Sequence, residues 1–143
     1  MSGISHLFSG MRASSSGLAA ERARLDVIAK NLANAETTRT PEGVPYRRLS
    51  VWFEPMLQRA EGGKLEVTGV KVGGVTPDYA SPMERILNPG HPDADGAGYV
   101  TMPNVNTTHE MVDLISASRA YEANLTAQES FVAMAERALR LVQ

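Results

Sequence analysis

The chain has no cysteine. That excludes a disulfide framework, a thiolate zinc site and a cysteine nucleophile together, while leaving the compartment open, since disulfide-free proteins occur in every compartment. Long apolar runs are missing as well. Charged or polar residues interrupt each one well short of the roughly 18 consecutive apolar residues that a membrane helix needs, so no membrane insertion is expected. Basic charge is not in excess: 14 Lys and Arg stand against 16 Asp and Glu, a formal charge of −2 that lacks the footprint of a nucleic-acid binder. The stretch from Met1 to Arg12 has no basic segment before an apolar core, which predicts no cleavable secretory signal.

Proline is absent from residues 1–40 and again from 104–143. All eight prolines and nine of the twelve glycines lie between, so the 143 residues divide into helix, irregular β-rich centre and helix. The expected segments are 1–35, 36–106 and 107–143, an α+β chain that is mainly α. In the first, Ile4, Met11, Leu18, Leu25 and Leu32 recur every seven residues, with Leu7 and Ile28 as companions. Ser14 and Glu21 occupy the other companion positions, so this heptad stripe would bury polar groups if it packed alone. Gly3, Gly10 and Gly17 also fall seven apart among small residues. Each costs a helix roughly 1 kcal/mol relative to alanine, which close approach of a neighbouring helix could recover; a helix starting only after Gly17 is the alternative.

The last segment carries two heptad rows, Met111, Ser118, Leu125, Val132 and Leu139 beside Leu114, Tyr121, Gln128, Ala135 and Val142. Thr107 and Glu110 are spaced for a capping box at its start. A helix of about 33 residues, about 50 Å long, follows. Residues 1–34 sum to +2 and residues 109–143 to −2, which favours pairing of the two ends, although exposed ion pairs give only tenths of a kcal/mol each. In the centre, Leu49, Val51 and Phe53 alternate as in a strand that Pro55 ends. Leu65–Thr68 alternates likewise, and a parity change at Gly69 suggests a bulge before Val70–Val72. Tyr99–Met102 is a last short strand.

Chemistry is scarce. His91, Asp93 and Asp95 form the one cluster of potential ligands, but Ala97 and Asn104 fail the fifth and twelfth positions of a calcium loop. A turn in which the Asp side chains bond local backbone is the simpler reading, so no metal or cofactor is expected. No nucleophile elbow or P-loop occurs. Asn31 and Asn34 suit a helix C-cap near Asn34. Arg47 and Arg48 fit either an anion contact or a solvated strand start. Nothing in the residues requires an enzyme.

Five stretches narrow the field. Asn31–Thr38 (N-L-A-N-A-E-T-T) resembles the signature at the end of the first helix in bacterial flagellar rod and hook proteins, the axial family. Asn106 onward, with Glu110–Asn124 (E-M-V-D-L-I-S-A-S-R-A-Y-E-A-N), resembles that family's C-terminal signature. Thr38–Arg48, Asn88–Asp95 and Gly98–Asn106 are similar to segments particular to a proximal-rod member.

The resemblance implies terminal helices paired as a coiled-coil-like inner domain around a small β-rich insertion. It implies a structural subunit that stacks helically with other copies of itself and other rod proteins around an export channel. It also implies contacts with MS-ring or rod-base proteins, passage through the flagellar type III export apparatus without a cleaved signal, and a place in the basal-body rod crossing the periplasm. Ile4, Met11, Leu18, Leu25, Ile28, Asn31, Leu32, Asn34, Met111, Leu114, Tyr121, Leu125, Val132 and Leu139 are then the expected packing residues. Arg47, Arg48, His91, Asp93 and Asp95 are candidates for loop contacts between subunits. Another proximal-rod protein, a soluble coiled-coil adaptor or export chaperone, and a metal-dependent hydrolase using His91, Asp93 and Asp95 stand as alternatives.

Overall fold

The computed structural model describes residues 2–59 and 63–140, with the side chains of the first helix from Phe8 onward. The predicted packing positions Ile4 and Leu7 therefore lie outside the described side chains, and Val142 outside the described residues. Helix α1 runs Ser2–Ala33, strand β1 Leu49–Arg59, β2 Leu65–Pro77, β3 Arg85–Leu87, β4 Tyr99–Thr101 and helix α2 Thr107–Arg140. Two long helices thus bracket a small antiparallel β insertion, an α+β chain as expected. Strands β1 and β2 form one two-stranded sheet, and β3 and β4 another. The chain divides into two compact units, residues 1–25, 52–74 and 116–143 in the first and 26–51 and 75–115 in the second.

In the first unit the helices meet along small and polar residues. A Cβ at Gly10 would come within 2.5 Å of Phe131 Cζ, and one at Gly17 within 2.8 Å of Asn124 Oδ1. Moving seven residues forward on α1 thus moves the contact seven residues back on α2, so the helices are antiparallel here. The glycines give back in close approach what they cost in helix propensity. Among the described residues of this unit the buried side chains are few and small, Ser14, Ala20 and Ala117. Ser16 Oγ accepts from Val70 N at 3.1 Å and donates to Ala13 O at 2.8 Å, which fixes β2 on α1. Gly69 lies directly against Ser16. Its place in the strand is thus explained by the nearness of a helix.

Two further strand expectations change. Pro55 sits inside β1 instead of ending it. In a two-stranded ribbon half the backbone N–H groups point away from the partner, so a residue without that donor is compatible with the strand. Strand β3 was not legible, being three residues long with all of them exposed. It pairs antiparallel with β4, Ile86 opposite Val100, and Val100 is the buried side chain of the pair.

In the second unit α1 ends as Asn34 takes over its last carbonyls: Asn34 N donates to Lys30 O at 3.1 Å and Nδ2 to the same oxygen at 2.9 Å. The start of α2 differs from the expected capping box. Asn106 is the cap, its Oδ1 accepting from His109 N at 3.0 Å. The Glu110 carboxylate turns inward instead.

Candidate functional site

Glu110 is fully buried and so is Asn31 at 1% exposure. Buried charge is tolerated only where it is paired and hydrogen-bonded, so the partners of this carboxylate define a site. Arg48 Nε donates to Glu110 Oε1 at 2.6 Å, and Asn31 Nδ2 donates to Oε2 at 3.0 Å. The Asn31 amide also accepts from Leu49 N at 2.8 Å and donates to Leu49 O at 2.9 Å. It thereby offers Leu49 the donor and acceptor that a neighbouring strand would. Its Oδ1 takes a second bond from the Tyr46 hydroxyl at 3.0 Å, so all four of the amide's hydrogen-bonding positions are used. Burial first, and then the negative charge of Glu110, raise the Tyr46 phenol above its ordinary pKa.

A second amide extends the arrangement. Asn104 Oδ1 accepts from Arg48 N at 2.8 Å, while its Nδ2 donates to Asp78 O at 3.0 Å and Ser81 O at 3.2 Å. Arg48 also reaches Ser50 Oγ at 3.1 Å and lies 3.8 Å from Asp113. The cluster thus joins the end of α1, the start of β1, the loop after β2 and the first turn of α2. It borders a polar cleft of about 500 Å³ that Asp78, Glu84, Asn104 and His109 help to line. It has the chemistry of a clamp: every hydrogen-bonding position of the Asn31 amide, and both oxygens of the Glu110 carboxylate, are held by other groups of the protein.

The expected site residues fall into three groups. Met11, Leu18, Leu25, Leu32, Leu114 and Tyr121 are half-buried, and Ile28 is buried. Met111, Leu125, Val132 and Leu139 are exposed, at 57, 41, 40 and 69%. The inward row of α2 is instead Glu110, Ala117, Asn124 and Phe131, because the α1 face it meets is the close-approach row of Gly10 and Gly17. Asn31, seen from sequence as part of a cap, lies at the centre of the clamp. Glu110, Tyr46 and Asn104 were missed; the available signal was that Glu110 stands in heptad register with Ala117, Asn124 and Phe131.

The loop candidates are mostly occupied by their own chain. Arg48 is turned inward, as described. Arg47 donates to Asp78 O at 3.1 Å and stacks 4.7 Å from the Tyr79 ring centre. Asp93 accepts from Thr38 Oγ1 at 2.8 Å, lies 3.5 Å from Arg39, and its own N–H donates to His91 Nδ1 at 3.1 Å. Asp95 accepts from Tyr99 N and Ala97 N, both at 2.9 Å, and pairs with Arg85. Chiefly the bond from Tyr99 N, joined by that from Ala97 N and the Arg85 charge, holds its carboxyl below the usual range. Among the described residues no three His, Asp or Glu side chains converge as metal ligands would.

Comparison with known proteins finds two family descriptions that match the chain and several relatives that match most of it. The family described as flagella basal body rod protein matches residues 11–39, and the flagellar basal body rod FlgEFG protein C-terminal family matches residues 97–141. The flagellar basal-body rod protein FlgC of Borreliella burgdorferi is 43% identical, covering 96% of this chain and 98% of its own length. FlgC of Bacillus subtilis is 40% identical over 94% and 97%, and FlgC of Salmonella typhimurium 43% identical over 90% and 92%. A likeness of this strength over nearly the whole of both chains decides the assignment: the chain belongs to the FlgC family of flagellar basal-body rod proteins.

Proposed function

We propose that the chain is a structural subunit of the proximal rod, one that stacks with copies of itself and with other rod proteins into a hollow shaft around the export channel. In that role it transmits motor torque by packing, without catalysis. The observation that carries this reading is a helix pair that leaves itself uncovered: α2 is 34 residues long, yet Leu125, Val132 and Leu139 on it remain open to solvent. Apolar rows of that length are stable when neighbouring helices cover them. We assign the packing to the terminal segments 1–35 and 107–143, and subunit recognition to the loops that carry Arg47, His91, Asp93 and Asp95 in segment 36–106. The rod-base and MS-ring proteins below it, the flagellar type III apparatus as its export route, and a position crossing the periplasm complete the proposal.

The test is expression in cells that lack their own FlgC. Recovery of swimming, with this chain present in purified basal bodies, is the expected outcome. A chain that stays in the cytoplasm as a stable dimer bound to export cargo would overturn the reading in favour of a chaperone.

A further inference from the structure

The first unit leaves two helix surfaces open, and they are opposite in charge. On α2, Leu125, Val132 and Leu139 are spaced seven apart, and Glu122, Glu129 and Glu136, also seven apart, run beside them; all six are exposed. Each Glu precedes an apolar residue by three positions, the relation of an e position to the following a position in a coiled coil. A shallow groove of about 430 Å³ runs along this surface between Leu125, Glu129, Val132 and Glu136. On α1, the side turned away from Gly17 carries Phe8, Arg12, Ser15, Ala19 and Arg22, all exposed. Among the described residues neither Arg12, Arg22 nor the three glutamates forms an ion pair within the chain.

We propose that these two surfaces are partners: the α2 row of one copy docks on the outer side of α1 in a second copy of this chain. The inference rests on the rod-subunit reading and names the contact by which one copy meets the next. Charge complementarity selects this pairing. Two α2 rows facing each other across a twofold axis would oppose glutamate to glutamate, whereas α2 on α1 brings Glu122, Glu129 and Glu136 to the arginines. Residues flanking an apolar seam set partner choice in just this way. Small Ser15 and Ala19 allow the incoming helix to approach closely, and Phe8 supplies an apolar anchor. A contact between two different surfaces of the same chain is heterologous, so it repeats from copy to copy instead of closing into a dimer.

Sedimentation of the purified full-length chain over a concentration series tests the contact directly. The unchanged chain is expected to self-associate, more weakly as salt is raised. Arg12→Glu with Arg22→Glu, and separately Glu122→Arg with Glu129→Arg, should each weaken association by at least about tenfold, because each leaves like charges facing across the contact. Combining all four changes in one chain should restore it. Reversal of two exposed charges on the β1–β2 ribbon, Arg59→Glu and Glu66→Arg, should leave association unaltered; circular dichroism of each variant, read at a dilution where the unchanged chain is also dissociated, checks that the substitutions do not themselves alter the helices. An unchanged chain that stays monomeric, a double variant that associates as before, or a fourfold variant that stays weak would each overturn the docking. The rod reading is judged by the cell complementation instead, so the two can fail separately.

Discussion

At the scale of single residues, the clamp around Asn31 has sharp energetic consequences. Asn31→Asp would set a second carboxylate against buried Glu110, where the present Nδ2 donor lies at 3.0 Å. The expected loss at neutral pH is about 3–5 kcal/mol, because the buried carboxylate loses a hydrogen-bond donor and gains a like charge. Urea unfolding at pH 7 measures it, and a variant as stable as the parent would contradict the clamp. Tyr46 gives a second handle. Its folded-state pKa lies above the unfolded value near 10.0, so its proton is held more tightly when folded. That contribution is whole below about pH 10 and is lost as pH climbs through the folded-state value. Tyr46→Phe should cost about 1 kcal/mol at neutral pH and remove this share of the alkaline loss. Sequence made Asn31 conspicuous but not its role, because a local cap is available within a turn while its actual partner Glu110 is 79 positions away.

At the scale of elements, the helices were readable almost to the residue, since proline-free stretches with a heptad period admit little else. Which face packs inward was readable on α1 only through its glycine row, and was misread on α2. The largest apolar residues mark the strongest period, yet an antiparallel pair built on Gly10 and Gly17 closes on the smallest. The strands were legible by alternation and misjudged at Pro55, because sequence cannot tell a two-stranded ribbon from a wider sheet. Within the first unit the ribbon has its own device, with the Trp52 ring packed against Gly73 and Gly74 on β2. Gly73→Ala would place a methyl group where that ring now rests, displacing it toward water. As Trp52 is the chain's one tryptophan, the change should appear as a red shift in intrinsic fluorescence. An unshifted spectrum would show that the ring does not need the glycine.

At the scale of the whole molecule, the resemblance of the two terminal signatures carried the family, whereas the division into two compact units was invisible, because each unit gathers pieces of both helices and of the β insertion. Among its described residues the first unit buries only Ser14, Ala20 and Ala117, too little to offset the ordering of its helices with a wide margin. Dilute chain should therefore have less helix by circular dichroism than α1 and α2 together contain, and gain it on association. Full helix content at micromolar concentration would refute this.

Acid should loosen the second unit first at its turns. Asp78 is held below the usual carboxylate range first by the Ser81 hydroxyl and then by the Ser81 and Ala80 amides, and Asp95 first by Tyr99 N. Their contributions are present above about pH 4 and vanish as pH falls through the lowered values. Amide exchange at Ala80, Ser81, Ala97 and Tyr99 should rise there before exchange in the helices does. The antiparallel contact of Gly10 with Phe131 has a practical consequence for anyone labelling the protein: α1 at Gly10 and α2 at Phe131 lie side by side. A label attached to either helix at that level crowds the same neighbourhood, so exchanging one for the other offers no relief. An insertion at the exposed turn around Gly43, where φ is +81° and no side chain stands nearby, offers a separate place for a label.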